Sequence, residues 1–575
     1  MNYHNGNLLG FFLAASLLSL ASGQNIAVIG GGISGTFTAK YLVDYDKDCH
    51  LDALTVFDPK PIGEPTNLSE DGQDVEWQGN RIASIQLEDG RVVEIGASVF
   101  HEANQLVQEM IRNDPTLEIG RPFNIGKNGK EISARQGLGI YSGDGEWKFM
   151  SNSSQALNTF WTVVRYNIDL YLVDRATQHA IEKFKGIVPL LESDQEDTFF
   201  QSPDEMWKRV RLIGAVHNSF DATLDALGDS RGDSWLQKIL PYQGSLRKEL
   251  LTAINLINYN QGVSQVNGLV GLVSFAASKG PLYSVVGGNQ QIVKSAFQQA
   301  QTNHQKNCRK EGVVTNVPRK VTSVVGSYDG FVLYSGDDTL GTFDSVVLAA
   351  PLQQSRISFL IPSHWDDAVL QDMPIADGMV DPEKIDEDHE GHPILPKKVP
   401  PCASKPYTQV VTTVVSNAQL NAEYFNLPEE KLPRAVCFTE AGKAKMHNIT
   451  VISEIAGDGI YKTFSNQQLD AKVLTDLFGP NHKVEFVKVW GGPHGGATPD
   501  YRGEGQTVKY LIYDGAAGLE GHTDKGALFY VNSIESAVAC MEVSAIGAKS
   551  VAKLVARRHK WIIPSTVSKH DGEEL

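Results

Sequence analysis

Residues 25–58, NIAVIGGGISGTFTAKYLVDYDKDCHLDALTVFD, constrain this chain more than any other stretch. Ile26-Ala27-Val28-Ile29 is an apolar run of the kind that fills a buried parallel strand. Gly30, Gly32 and Gly35 follow as G-x-G-x-x-G, and Ile33, Phe37, Tyr41 and Leu42 then recur at helical spacing. Leu54-Thr55-Val56-Phe57 reads as a second strand and ends in Asp58. Together these form a βαβ unit with an acid at its far end, the fingerprint of a dinucleotide site. In that reading Gly30 allows the tight turn, Gly32 leaves the backbone open to a pyrophosphate, and Gly35 lets helix and strand pack closely. The helix N-terminus offers free N–H groups to the phosphates, and Asp58 can accept hydrogen bonds from ribose hydroxyls. The motif alone does not separate NAD from FAD, and an unliganded glycine loop is the bland alternative.

The chain has 575 residues, too many for one core, so two intertwined domains are expected. A formal net charge of −17 argues against nucleic acid as a partner. Residues 8–20 are an apolar run of signal-peptide length, and Ala21-Ser22-Gly23 supplies small residues for cleavage before Gln24. No Lys or Arg precedes the run, so an uncleaved anchor stays open as the alternative. No later stretch is apolar for long enough to span a membrane, so the mature chain is expected to lack a transmembrane segment. The sequons at Asn67, Asn152 and Asn448 fit passage through the secretory pathway. Five scattered cysteines, Cys49, Cys308, Cys402, Cys437 and Cys540, make neither a disulfide scaffold nor a metal motif. No metal is expected.

Further along, 81–87 alternates like a strand, and 92–101 follows it and takes in a small-residue turn at Gly96-Ala97-Ser98. Residues 104–112 look helical. Residues 115–280 read as a mostly helical insertion, with helices expected over 166–191, 203–227 and 235–258, fit to cap a ligand site. Gly287-Gly288-Asn289 opens a helix over 290–301, and strands are expected at 313–317, 331–334 and 343–349. Residues 366–403 are rich in Asp, Glu, Pro and Gly and read as an acidic loop. Strand character resumes at 408–415, 484–490 and 527–532, and a small-residue helix closes the chain over 536–557.

This arrangement resembles the FAD-binding amine-oxidase superfamily, and within it the prenylcysteine oxidase (prenylcysteine lyase) family. The resemblance is carried by Ile140-Tyr141-Ser142-Gly143, Val164-Arg165-Tyr166, Ile257-Asn258-Tyr259-Asn260-Gln261, Asn267-Gly268-Leu269-Val270-Gly271 and Gly287-Gly288-Asn289. Its most specific part is Ile534-Glu535-Ser536-Ala537-Val538-Ala539-Cys540-Met541-Glu542-Val543-Ser544-Ala545-Ile546. The match is colinear over nearly all of the mature chain, with 366–403 as an insertion.

The resemblance implies an α/β fold: a Rossmann-like FAD-binding domain of the amine-oxidase and glutathione-reductase type, intertwined with an α+β substrate domain. After a signal peptide at 1–23, the FAD domain is expected from 24–114, 281–360 and 505–560. The substrate domain is expected from 115–280 and 361–504, with 561–575 as a tail. Gly30, Gly32, Gly35 and Asp58 are implied for the ADP half of FAD, and Arg81 for the superfamily's Gly-Gly-Arg position, although Asn80 replaces the second glycine. Gly96, Ala97 and Ser98 fall where the family's turn nears the flavin ring. Val314 matches the valine that meets the adenine, and Glu542, Val543 and Ser544 match the helix start near the pyrimidine and ribityl chain.

The implied substrate is a cysteine carrying a farnesyl or geranylgeranyl thioether. Its carbon between sulfur and alkene can lose a hydride to flavin, because both neighbours spread the positive charge. Water adds, the hemithioacetal collapses to cysteine and a prenyl aldehyde, and dioxygen takes the electrons as hydrogen peroxide. A proton acceptor for the water is expected at His101 or His494, each of which has a backbone-bonded structural role as its alternative. The prenyl tail needs an apolar tunnel, expected among the 115–280 helices. Another FAD-dependent amine oxidase and a non-catalytic secreted prenyl-lipid binder are the competing readings. The resemblance implies the lysosome, with the ER lumen (Gly572-Glu573-Glu574-Leu575 being a poor likeness of K-D-E-L) or secretion as alternatives, and peripheral membrane contact as a further expectation.

Overall fold

The structure, a computed structural model, describes residues 23–64, 81–120, 137–151, 155–229, 244–277, 280–327, 330–355, 357–360, 407–455, 459–490, 498–501, 508–514 and 526–564. The leader at 1–22, Asn67, Asn152, the acidic stretch 366–403, Cys402 and His494 lie outside the described residues.

In chain order, the elements that build the site begin with β1 (Gln24–Ile29), α1 (Ile33–Tyr45) and β2 (Leu51–Phe57). Next come β3 (Ser84–Gln86), β4 (Val92–Glu94), β5 (Phe100–His101) and α2 (Gln105–Arg112). The hairpin β6 (Leu138–Tyr141) and β7 (Trp147–Met150) leads to α3 (Gln155–Lys185), α4 (Thr252–Tyr259) and α5 (Gly268–Ala276). β8 (Leu282–Val285), α6 (Gln290–Cys308), β9 (Val314–Val317) and β10 (Ser345–Leu348) follow. The last part holds β11 (Val410–Ser416), β12 (Ala435–Phe438), β13 (Ile449–Glu454), β14 (Tyr461–Ser465), β15 (Lys483–Trp490), β16 (Leu511–Asp514), β17 (Ala527–Tyr530) and α7 (Met541–Arg558).

The first sheet runs β9-β2-β1-β10-β17-β16, parallel except for β16. Its strands come from widely separated parts of the chain, so the N-terminal βαβ unit is completed only by residues near the C-terminus. Such strands are buried on both faces and read as continuous apolar runs, as Ile26, Val28, Val56, Val346 and Leu528 do here. The spacing in α1 predicts one apolar face, but residues 33–43 are buried throughout. α6 and α7 also pack against it, so even Thr36 and Thr38 are enclosed. Each large apolar side chain so buried contributes about 1.5–3 kcal/mol.

The second sheet runs β15-β11-β14-β13-β12-β6-β7 and is antiparallel except where β6 joins β12. The β6–β7 hairpin therefore ties the 115–280 segment into a sheet made mainly by 410–490. α3 and α5 pack on one another above this sheet, and α4 packs on β12 and β13. The helix expected over 166–191 is α3 followed by Ile187–Glu192, divided at Gly186. The one expected over 203–227 is three pieces, Pro203–Arg209, Ile213–His217 and Phe220–Asp229. α6 runs past the expected end and places Cys308 beside Cys49, with which it forms a disulfide. Cys437 and Cys540 are free thiols. Asp46, His304 and Cys308 lie close together, but the disulfide removes the thiolate a metal would need. Among the described residues no helix is long and apolar enough to cross a membrane.

Candidate functional site

One cavity of about 1330 Å³ begins at the carboxyl ends of β1, β2 and β10, the position open α/β sheets use for ligands. Pockets for one drug-sized ligand hold about 300–1,000 Å³, so this space admits two molecules. One part of its wall is backbone from Gly30–Ser34 and Gly96–Val99, with Asp58, Arg81, Glu535 and Ser544. The other is apolar side chains from α3 (Ala180, Ile181, Phe184), α4 (Leu256, Ile257) and α5 (Leu269, Leu272, Val273), closed below by Cys437, Val451 and Phe464 of the second sheet.

The glycine loop has the donor set a dinucleotide requires. Gly30 sits at φ +117, and a Cβ there would approach the Ala349 carbonyl to 2.7 Å. At Gly35 a Cβ would stand 1.8 Å from the Gly30 carbonyl, so α1 can enter only with glycine there. α1 starts at Gly32 with no side-chain cap and no acid in its first turn, and its first amides stay available to an anion. Asp58 closes the loop from the other side. Its Oδ2 accepts from the Gly31 N–H at 2.7 Å and its Oδ1 from the Lys60 N–H at 3.0 Å. Burial raises its pKa, opposed by those bonds. A carboxylate accepts about four bonds, so Asp58 both fixes the loop and keeps acceptor capacity toward the cavity. These residues fit FAD.

Arg81 forms an ion pair with Glu535, which also accepts from Asn532 Nδ2 at 2.7 Å and from the Tyr407 hydroxyl at 3.1 Å. Glu535 is 1% exposed whereas the Arg81 side chain is 32% exposed, so the pair fixes a buried carboxylate with a guanidinium that still faces the cavity, the two coming from distant parts of the chain. Beside it the turn at Gly96–Ser98 is braced by Lys462 of β14. Its ammonium donates to the Glu94 carbonyl at 2.9 Å and to Ser98 Oγ at 2.8 Å. Burial pushes Lys462 down to about 8, with Glu94 acting the other way. Burial pushes the Glu94 carboxyl up to about 7, against its bonds from Asn289 and Ser84. Lys462 is not legible from the sequence: in Tyr461-Lys462-Thr463-Phe464 it reads as an ordinary outward strand lysine, and no local signal marks it as buried.

Gly30, Gly32, Asp58, Arg81, Gly96, Ala97, Ser98 and Ser544 are brought to one cavity, with Gly35 behind the loop as a packing residue. Val314, Glu542 and Val543 do not line it. Val314 is buried in β9, and its carbonyl accepts from Gln301 Nε2 at 3.1 Å. Glu542 turns away from the cavity and accepts from the Leu106 and Val107 N–H groups at 2.9 and 3.1 Å. Its carboxylate thus satisfies the free amides that begin α2, and burial pushes it up to about 7. Val543 is 0% exposed in the core beneath.

His101 lines the cavity but is not placed to take a proton. Its Nδ1 accepts from the Ala103 N–H at 3.0 Å, which puts the ring proton on Nε2. Nε2 is buried without a partner among the described residues, and a Cβ on Gly280 would lie 2.4 Å from it. Burial lowers its pKa further. Asn448 lies on a left-handed turn at φ +60, and the sequon's Thr450 is 0% exposed in β13.

The chain matches the family model for prenylcysteine lyase over residues 149–370 and 390–564. The break between the two segments falls inside the acidic stretch read as an insertion. Mouse prenylcysteine oxidase 1 is 24% identical, with 96% of this chain and 92% of that protein aligned. Arabidopsis thaliana farnesylcysteine lyase is 23% identical, over 93% and 89% respectively. Among solved structures, a putrescine oxidase bound to putrescine superposes with a TM-score of 0.47 at 13% identity, covering 93% of this chain and all of that one. That superposition is too loose to carry an argument.

Proposed function

This chain belongs to the prenylcysteine lyase family, and from that premise we propose that it is an FAD-dependent oxidase that cleaves the thioether of farnesyl- or geranylgeranyl-cysteine. The observation that carries the reading is the continuity of the cavity. One space joins a loop suited to a dinucleotide with an apolar chamber suited to a prenyl tail. FAD, when bound, accepts two electrons from the carbon beside sulfur and passes them to dioxygen. Water supplies the oxygen of the prenyl aldehyde, and the products are cysteine, that aldehyde and hydrogen peroxide.

The chain's own residues position and enclose. The α1 amides and Asp58 would hold the adenine-side half of the cofactor. The Arg81–Glu535 pair and the 96–99 turn define the wall nearer the chemistry. The α3, α4 and α5 side chains exclude bulk water from the tail and so fix where the thioether stops. Among the described residues, the two carboxylates lining the cavity are Asp58, bonded to two amides, and Glu535, bonded to Arg81. The remaining capacity of Asp58 faces the dinucleotide end and Glu535 is taken up by Arg81, so neither stands in the apolar chamber to hold a cationic amine, which favours a thioether over the amine-oxidase reading. With His101 facing Ala103 and Gly280, water activation falls to no assigned side chain.

The Cys49–Cys308 disulfide supports a secretory route, since such bonds persist in oxidising compartments. A cleaved leader before Gln24, a glycan at Asn448 and residence in the lysosome complete the reading, with the ER lumen or secretion as alternatives. The test is anaerobic mixing of the purified protein with farnesylcysteine while following the oxidised-flavin absorbance at about 450 nm. Bleaching that returns with air, together with a prenyl aldehyde, is expected. A yellow protein that does not bleach would overturn the substrate, and a colourless one that still binds the compound would leave only a binder.

A further inference from the structure

The sequence motif Gly287-Gly288-Asn289 has no part in the function described so far, yet one of its side chains holds the turn that lines the cavity. Asn289 is 0% exposed, and its Nδ2 donates to the Ala97 carbonyl at 2.8 Å. It is itself held twice: its Oδ1 accepts from the Val285 N–H at 2.8 Å, and its own N–H donates to the Glu94 carboxylate. Gly287 at φ +84 and Gly288 at φ +107 make the left-handed approach that sets it there.

The other carbonyls of this turn are tied in the same way. The Glu94 carbonyl accepts from Lys462 at 2.9 Å, that of Ile95 from Thr412 Oγ1 at 3.1 Å, and that of Gly96 from Ser98 Oγ at 2.8 Å. Thr412 is 0% exposed and is held by Trp490 Nε1, which donates to it at 2.8 Å. Four consecutive carbonyls are therefore fixed by side chains, with three of those side chains arriving from β11, β14 and the loop before α6. The Ile95 and Ala97 N–H groups return to the Ala83 and Arg81 carbonyls. The N–H groups of Gly96, Ser98 and Val99 have no partner among the described residues, and all three residues line the cavity. Backbone donors beside a closed space rarely go without an acceptor. With the carbonyls unable to rotate inward, these three N–H groups are left to an acceptor that enters the cavity, a water when it is empty and a ligand edge when it is filled.

We infer that Asn289, Thr412 and Lys462 are positioning residues that hold the 95–99 turn as a fixed row of backbone donors toward an acceptor edge of the flavin. This rests on the flavin reading above. Donors fixed before reaction favour the form of the ligand that carries more negative charge, which for a flavin is the reduced one. The clamp therefore sets the reduction potential, while the glycine loop sets affinity.

The test uses the full chain carrying Thr412→Val, which removes the donor without changing charge, and separately Asn289→Asp, which keeps the acceptor for Val285 and loses the donor to Ala97. Hydrogen exchange of the Ile95 and Ala97 amides in the flavin-free protein is expected to quicken at least about tenfold in both, with β1 amides unchanged. In the reconstituted proteins FAD affinity is expected to stay within about threefold of wild type. The midpoint potential is expected to fall by about 30 mV, a tenfold loss of preference for reduced flavin in a two-electron couple. Wild-type potentials in both variants would overturn the inference, as would unchanged exchange. If Thr412→Val does not fold, Thr412→Ala, which also loses the donor without adding charge, takes its place. A wild-type chain that takes up no FAD would overturn the donor role together with the flavin reading, while the exchange measurement still judges the clamp.

Discussion

The two ends of the cavity are built by opposite means. The dinucleotide end is backbone: a glycine loop, an uncapped helix start and a turn whose carbonyls are drawn back. The prenyl end is side chains from three helices and a sheet, none of which has a special conformation. The first demands particular residues at fixed short spacings. The second asks only for apolar volume of the right shape. A single wrong atom therefore ruins the first, whereas the second should yield by degrees.

Gly35→Val tests the rigid end most severely. A Cβ there meets the Gly30 carbonyl at 1.8 Å, and backbone cannot step aside. We expect more than about 4 kcal/mol of destabilisation, read as loss of soluble, flavin-containing protein. Tolerance of valine there would refute the rigid picture of the loop. Arg81→Ala should cost about 3–5 kcal/mol, because it strands Glu535 as a buried charge. The paired change Arg81→Met with Glu535→Leu should recover much of that in thermal unfolding while leaving FAD binding impaired. If the double change is as damaging as the single one, the pair holds more than its own charge.

At the other end Ala180→Phe should fold and bind FAD normally. Overpacking of about 1–3 kcal/mol should then appear as a KM for geranylgeranylcysteine raised about 10–100-fold, with a smaller rise for the farnesyl compound. Equal effects on both would show that the α3 wall does not touch the end of the tail.

The smallest effect expected is on pH dependence. Glu542 stands at about 7 in the fold against an ordinary 4.5, so the folded protein keeps a proton the unfolded chain has lost. Its contribution is complete below the ordinary value and disappears as pH rises through about 7. Glu94 acts in the same direction. His559, lowered to about 4, acts oppositely: the unfolded chain takes a proton that the fold refuses. Thermal midpoints should therefore rise modestly from neutral pH toward pH 5, and Glu542→Gln should flatten the rise. A steeper rise in that variant would contradict the assignment.

The difference between the two ends also explains what the sequence disclosed. Gly30, Gly32, Gly35 and Asp58 were legible because they lie within one βαβ unit, where spacing and geometry are the same information. The sheet strands were legible as apolar runs halted by turns. The chamber was foreseen only as a helical region, since Ala180, Leu256, Leu272 and Cys437 meet through packing that no local pattern encodes. Lys462 and Thr412 were invisible for the same reason: each looks like any strand residue until the turn it holds is placed beside it. The direction of the Glu542 side chain was not legible, because a helix start that borders a cavity and one whose acid caps a neighbouring helix have the same sequence signature.

The Cys49–Cys308 bond adds a constraint in time. Its partners are 259 residues apart. At about 5–20 residues per second of synthesis, the second thiol follows the first by roughly 13–50 s. β10 and β17, which complete the sheet beside β1, emerge later still. The glycine loop, first to be made, thus waits through most of translation with one edge of its sheet uncovered. A cell producing this protein must shelter that edge until the last helix arrives.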